Sequence, residues 1–125
     1  MKSFSILLSF FLLRQTNFIQ NIDDQLISKK FEINLSLEPN MRGIRNKKTI
    51  YFIEKDMQTL SAYEKGKLKW KTNIIAVCGE PKVGKSEIRF LKFNEKIRTI
   101  SVIFGKHNFA EVEIKNGDTK FLGAD

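Results

Sequence analysis

Residues 79–93 read GEPKVGKSEIRFLKF, and the path of the chain after Ser86 decides the fold. Gly79, Gly84, Lys85 and Ser86 have the spacing of a phosphate-binding loop, in which backbone amides and a lysine cradle phosphates and a hydroxyl meets magnesium. Such a loop opens a helix, because the helix N-terminus completes the anion site. Beyond Glu87, Ile88 and Phe90 fall on one side of a strand and Leu91 and Phe93 on the other, whereas on a helix they scatter around the cylinder. A strand is expected over Ile88 to Phe93. A P-loop fold also needs parallel strands joined by crossover helices, and a carboxylate closing a second apolar strand. The best later strand, Ile100 to Phe104, runs into Gly105-Lys106 instead. Gly79 to Ser86 therefore reads as a Gly/Pro linker between two β units, stiffened by Pro81. The alternative is a P-loop nucleotide-binding module using Gly79, Gly84, Lys85 and Ser86.

The strand period recurs on both sides of the linker. Phe31-Glu32-Ile33-Asn34-Leu35-Ser36-Leu37 alternates apolar and polar residues and stops at Glu38-Pro39-Asn40. Further strands are expected over Thr49 to Ile53, Thr59 to Tyr63, Lys67 to Val77, Arg98 to Phe104, Phe109 to Lys115 and Lys120 to Leu122. Turn residues separate them: Lys55-Asp56, Lys65-Gly66, Asn94-Glu95, Gly105 to Asn108 and Asn116-Gly117. One helix is expected, over Asn21 to Lys29, where Asp23 and Asp24 suit a first turn. Short strands at near-regular spacing define an all-β domain of antiparallel sheets, either blade-like or a small sandwich.

Composition sets the limits. At 125 residues, with 42% hydrophobic residues and 11 Phe against 2 Pro, the chain supports one globular domain rather than two or a disordered segment. Met1-Lys2-Ser3 and the apolar run Phe4 to Leu13 have the basic start and hydrophobic stretch of a secretory signal, and the run is short for a bilayer span. Arg14 follows directly, and Gln15 to Asn21 holds no small-x-small cleavage site. Residues 1–20 thus read as a signal peptide or signal anchor, and residues 21–125 as the β-rich domain. The alternative is an apolar first strand or core helix. The expected location is exported: periplasmic, cell-envelope or secreted, with membrane contact only through the N-terminal segment if it is uncleaved. Cys78, the only cysteine, allows no intramolecular disulfide and sits in an apolar run that favours burial.

Two approximate units flank the linker, at 49–78 and 87–125. Thr49-Ile50-Tyr51-Phe52-Ile53 aligns with Thr99-Ile100-Ser101-Val102-Ile103 at an offset of 50, and with one residue of slippage Lys65 to Trp70 aligns with Asn116 to Phe121. The stretch Thr49 to Trp70 resembles one blade of the quinoprotein-like (PQQ-like) β-propeller repeat, matching it at Tyr51, Leu60, Ala62, Gly66, Lys67 and Trp70. The resemblance implies blade-like sheets and a structural place for Trp70 between neighbouring blades. The second unit has Phe121 in the Trp place and Asp118 in the Lys place. Two units do not close a propeller, which takes about four to eight blades, so no quinone, calcium or dehydrogenase chemistry follows.

No catalytic constellation is expected. His107, the only histidine, lies in a turn with no cysteine nearby in sequence that would make a zinc site. Ser86 and Ser101 sit in no nucleophile elbow, and Glu111 and Glu113 would share the polar face of one strand. The net charge of +8, dense at Arg42, Arg45, Lys47, Lys48 and at Lys65, Lys67, Lys69, Lys71, leaves open a basic surface that binds nucleic acid or anionic lipid. In the plainer reading Lys67, Lys69 and Lys71 face solvent while Leu68 and Trp70 turn inward. The functional expectation is a non-catalytic, cofactor-free interaction or structural protein that meets a protein partner or itself through sheet edges.

Overall fold

The computed structural model describes residues 21–125 as two five-stranded sheets; the expected signal segment lies outside the described residues. A short 3-10 turn, Asp24–Leu26, leads into β1 (Ile27–Ser28) and β2 (Glu32–Asn34). Four strands then run as a meander: β3 (Gly43–Asn46), β4 (Thr49–Ile53), β5 (Thr59–Glu64) and β6 (Lys67–Asn73). The helix α1 (Ile74–Cys78) and the linker deliver the chain to a second meander of β7 (Ile88–Asn94), β8 (Thr99–Phe104), β9 (Asn108–Glu113) and β10 (Thr119–Ala124). Sheet 1 has the order β1-β3-β4-β5-β6 and sheet 2 the order β10-β9-β8-β7-β2. All pairings are antiparallel except β1 with β3. The all-β class expected from the alternation is therefore observed.

The turns explain the registers. Lys65 (φ 52°) and Gly66 (φ 78°) both adopt the positive φ that a two-residue hairpin needs, and Glu64 pairs with Lys67 across it. The Asp56 carboxylate accepts from the Gln58 and Thr59 amides and the Thr59 hydroxyl, which fixes the β4–β5 turn.

The two meanders face each other across one core. Rows of paired residues run straight across the sheets: Ile44–Tyr51–Ala62–Trp70 in sheet 1 and Ile33–Leu91–Val102–Ala110–Phe121 in sheet 2. Except for Trp70 and Phe121 at the ends, these residues are buried, together with Ile53, Leu60, Phe93, Ile100, Phe104 and Val112. Each such aliphatic or Phe side chain contributes about 1.5–3 kcal/mol over its exposed state, which makes this core the main stabilising element. Tyr51 of one sheet stacks on Phe93 of the other with ring centroids 6.0 Å apart. The segment 27–34 couples the layers, because β1 adds to sheet 1 and β2 to sheet 2 before the chain returns to β3.

Four expectations change. Ile74–Cys78 is helical instead of continuing the preceding strand: the Asn73 side chain accepts from the Ala76 amide at 2.9 Å, and the turn buries Ile74 and Ile75 while exposing Ala76 and Val77. This N-cap and tertiary burial override the β-branched run. The strand expected over Phe31 to Leu37 shortens to Glu32–Asn34, because the Asn34 side chain accepts from the Ser36 amide and its carbonyl from Leu37 and Glu38. Phe31 and Leu37 are consequently exposed. The helix expected over Asn21 to Lys29 is only the 3-10 turn followed by β1. Finally, a bulge opposite Ala62 and Tyr63 shifts the register of β6, so Trp70 pairs with Ala62 but Leu68 pairs with Tyr63. Leu68 thereby leaves the core side and is 47% exposed, and the three lysines do not share one face.

Candidate functional site

The linker Gly79–Ser86 joins sheet 1 to sheet 2 in the order helix, loop, strand. The amide of Gly79 donates to Ile75 O at 2.7 Å, so the loop begins at the carbonyl end of α1 rather than ahead of helix amides. Gly84 has φ +88°, and a Cβ there would lie 2.6 Å from the Lys106 amide nitrogen. Lys106 N–H donates to Val83 O at 3.0 Å, so the β8–β9 turn fills the flank of Gly84. Lys82 and Lys85 are exposed and Ser86 is half-buried.

The four motif residues are divided by this path. Gly84 and Lys85 line a cleft of about 610 Å³ with Arg42, Met57, Arg89 and Lys106. Gly79 lines a second cleft, of about 570 Å³, with Cys78, Val83, His107 and Phe121. Arg89 and Lys106 carried no site expectation, and Arg42 was marked only as part of a basic surface with Arg45, Lys47 and Lys48; the cleft brings together residues more than 60 positions apart, and no local pattern marks that convergence.

Trp70 lies on the edge strand of sheet 1 and faces sheet 2. Its indole Nε1 donates to Ile114 O at 2.9 Å, and its ring tilts against Tyr51 with centroids 6.1 Å apart. Thr72 Oγ1 donates to Gly117 O at 2.8 Å beside it. Gly117 has φ +81°, and a Cβ there would stand 2.5 Å from Trp70 Cε3, so the β9–β10 turn rests directly on the indole. Phe121 faces Ala110 as Trp70 faces Ala62, but it is 44% exposed, and among the described residues the one aromatic ring it meets is Phe104, with centroids 6.3 Å apart.

Among the described residues four strands form the sheet edges. β1 and β2 are two and three residues long, too short to recruit a neighbour. β6 carries Lys67, Lys69 and Lys71 together with its bulge. β10 also has a bulge, between Phe121 and Gly123, but it carries one lysine, Lys120, beside exposed Phe121 and Leu122. Among the described residues no backbone group of Thr119–Ala124 bonds outside its pairing with β9.

The remaining reactive groups sit apart. Burial pushes the Cys78 thiol up, which leaves little thiolate at neutral pH. His107 is exposed in the β8–β9 turn, its carbonyl accepting from the Asp125 amide at 3.0 Å. Ser101 Oγ accepts from Asn94 Nδ2 at 2.7 Å. Among the described residues no group of three or more His, Cys, Asp or Glu side chains is placed to hold a metal, and no helix is long and apolar enough to cross a membrane.

Compared with known proteins, the chain matches no protein-family model and no curated protein.

Proposed function

We propose that this is a non-catalytic, exported interaction protein that associates with a second copy of itself by pairing of the β10 edge. The observation that carries the reading is the contrast among the four edges: three are short or studded with lysine, and β10 is a six-residue edge strand beside α1 whose outward backbone has no strand partner and whose Phe121 and Leu122 are exposed. A second β10 suits this edge. In antiparallel pairing centred on Leu122, Lys120 meets Ala124 and Phe121 meets Gly123, so no two cations oppose each other. The matching places of Trp70 and Phe121 support an internally repeated unit whose second copy keeps its corner open. Export rests on the basic start and apolar run of residues 1–13.

Size-exclusion chromatography with light scattering on the 125-residue chain tests the association. The expected result is a concentration-dependent dimer that Leu122→Lys weakens at least about tenfold, whereas Leu68→Lys on the β6 edge leaves it intact. A monomer at every concentration would sink the proposal, as would equal loss in both variants. Recovery of the protein from the cytoplasm with Met1 and its apolar run intact would remove the export half alone.

A further inference from the structure

We propose that the cleft between the two sheets at the linker end binds a small organic anion, with a carboxylate or phosphate head and a short apolar body. The inference is independent of self-association, since no β10 residue lines this cleft. Its volume, about 610 Å³, lies within the range of roughly 300–1,000 Å³ that small-molecule sites occupy. Arg42, Lys85, Arg89 and Lys106 surround it against one acid, Glu87, and Leu35, Pro39, Met57 and Ile88 supply apolar walls.

The two arginines are fixed without being neutralised. Arg42 Nη1 donates to Pro39 O and to Met41 O, each at 2.7 Å. Arg89 Nη1 donates to Gly105 O at 3.2 Å and its Nη2 to Ser36 Oγ at 3.1 Å. A guanidinium has five N–H donors, so both forks keep donors free while their positions are set. Among the described residues the ion pairs are Arg45–Asp24 and Lys69–Glu64, and none of the four cleft cations has a carboxylate partner. Arginines held by carbonyl and hydroxyl oxygens and left without a carboxylate meet a ligand oxygen at reduced entropic cost, and their charge is met only when an anion enters. Lys85 and Lys106, exposed on the linker and the β8–β9 turn, add positive field at the mouth. The buried side chain of Ile88 and the half-buried Leu35 and Met57 leave an apolar surface for the remainder of the ligand.

Isothermal titration of the full chain with hexyl phosphate, hexanoate, inorganic phosphate and hexylamine tests the assignment. At least one of the two hexyl anions saturates the protein, about tenfold or more tighter than inorganic phosphate, and hexylamine gives no saturation. Which of the two is tighter distinguishes a phosphate from a carboxylate head. Arg89→Gln weakens the better anion about tenfold, and Lys106→Ala, an exposed turn position, weakens it in the same direction if Arg89→Gln does not fold. Lys92→Gln, on an exposed position of β7 outside the cleft, leaves binding unchanged. The proposal is overturned by absence of saturation for both hexyl anions up to about 10 mM, or by equal weakening in Lys92→Gln and Arg89→Gln. Mg-ATP binding lost in Lys85→Ala but retained in Arg89→Gln would also overturn it, placing the anion on the linker alone.

Discussion

Trp70 and Phe121 occupy the same place in two sheets and meet different surroundings. Each is an aromatic residue on the fourth strand of a meander, facing an alanine of the third strand that leaves room for the ring. Around Trp70 the opposite sheet closes the corner with the Ile114 carbonyl and the Gly117 backbone, whose carbonyl accepts from the Thr72 hydroxyl of Trp70's own strand. Around Phe121 the neighbouring residues come from α1 and the linker, Cys78, Gly79 and Val83, which line a cleft with it, and the ring remains 44% exposed. One corner therefore contributes stability and the other offers surface. The same distinction holds for the edges, lysine-studded at β6 and sparsely charged at β10.

The largest test of this difference is to close the space under the indole. Gly117→Ala adds a Cβ 2.5 Å from Trp70 Cε3 and 2.8 Å from Thr72 Oγ1 at a φ of +81°, so both contact and backbone are strained. The expected loss is roughly 2–4 kcal/mol in urea unfolding. A loss below about 0.5 kcal/mol would mean that the turn does not press on the indole and that the two corners are alike. Trp70→Phe comes next. It makes the first corner chemically equal to the second, removing the Nε1 bond to Ile114 O and part of the ring. The expected cost is about 1–2 kcal/mol, while Phe121→Leu at the open corner costs less than about 1 kcal/mol.

The paired strands of both meanders were legible because alternation is a local signal. Thr49–Ile53 ends where expected, and β5, β7 and β8 differ from the expected spans by a residue at one end. Asp56, Gly66 and Gly117 announced their turns through side-chain bonding or positive φ. What escaped was set by side-chain caps at Asn34 and Asn73 and by contacts distant in sequence. Ile74–Cys78 has strand composition, yet Asn73 caps it and the burial of Ile74 and Ile75 holds it as a helix. β3 and β1 are too short to show a period and exist through their pairing with β4 and with each other. The bulge that turns Leu68 outward has no local residue signature. Of the cationic cleft, the sequence marked Gly84, Lys85 and Arg42 for different reasons; the acceptors that hold Arg89, on Gly105 and Ser36, follow from the fold.

At the edges the comparison predicts a separation of effects. Leu122→Lys changes stability by no more than about 0.5 kcal/mol, since Leu122 is 52% exposed, yet it alters association. A destabilisation well beyond that value would assign Leu122 to the core and leave β10 no different from β6.

The smallest effect at neutral pH distinguishes the sheets through their polar clusters. In sheet 1 the Glu54 carboxylate accepts from Ser61 Oγ at 2.8 Å and from the Tyr63 hydroxyl, whereas in sheet 2 the neutral Asn94 side chain donates to Thr99 and Ser101. Only the first cluster titrates. Burial, with the hydrogen bond and charge of Glu54 acting in the same direction, raises the Tyr63 phenol to about 12. A phenol whose folded value lies above its unfolded value of about 10 contributes stability that is complete below pH 10 and declines as pH rises toward 12. Tyr63→Phe removes the hydroxyl bond at all pH values and removes this decline. Unfolding free energies measured from about pH 8 to 11 should therefore converge for wild type and Tyr63→Phe at the alkaline end. The penalty of Asn94→Ala should stay constant over the same range. A Tyr63→Phe gap that stays constant or widens with pH would show that the hydroxyl is not held by Glu54, and the two clusters would then be equivalent.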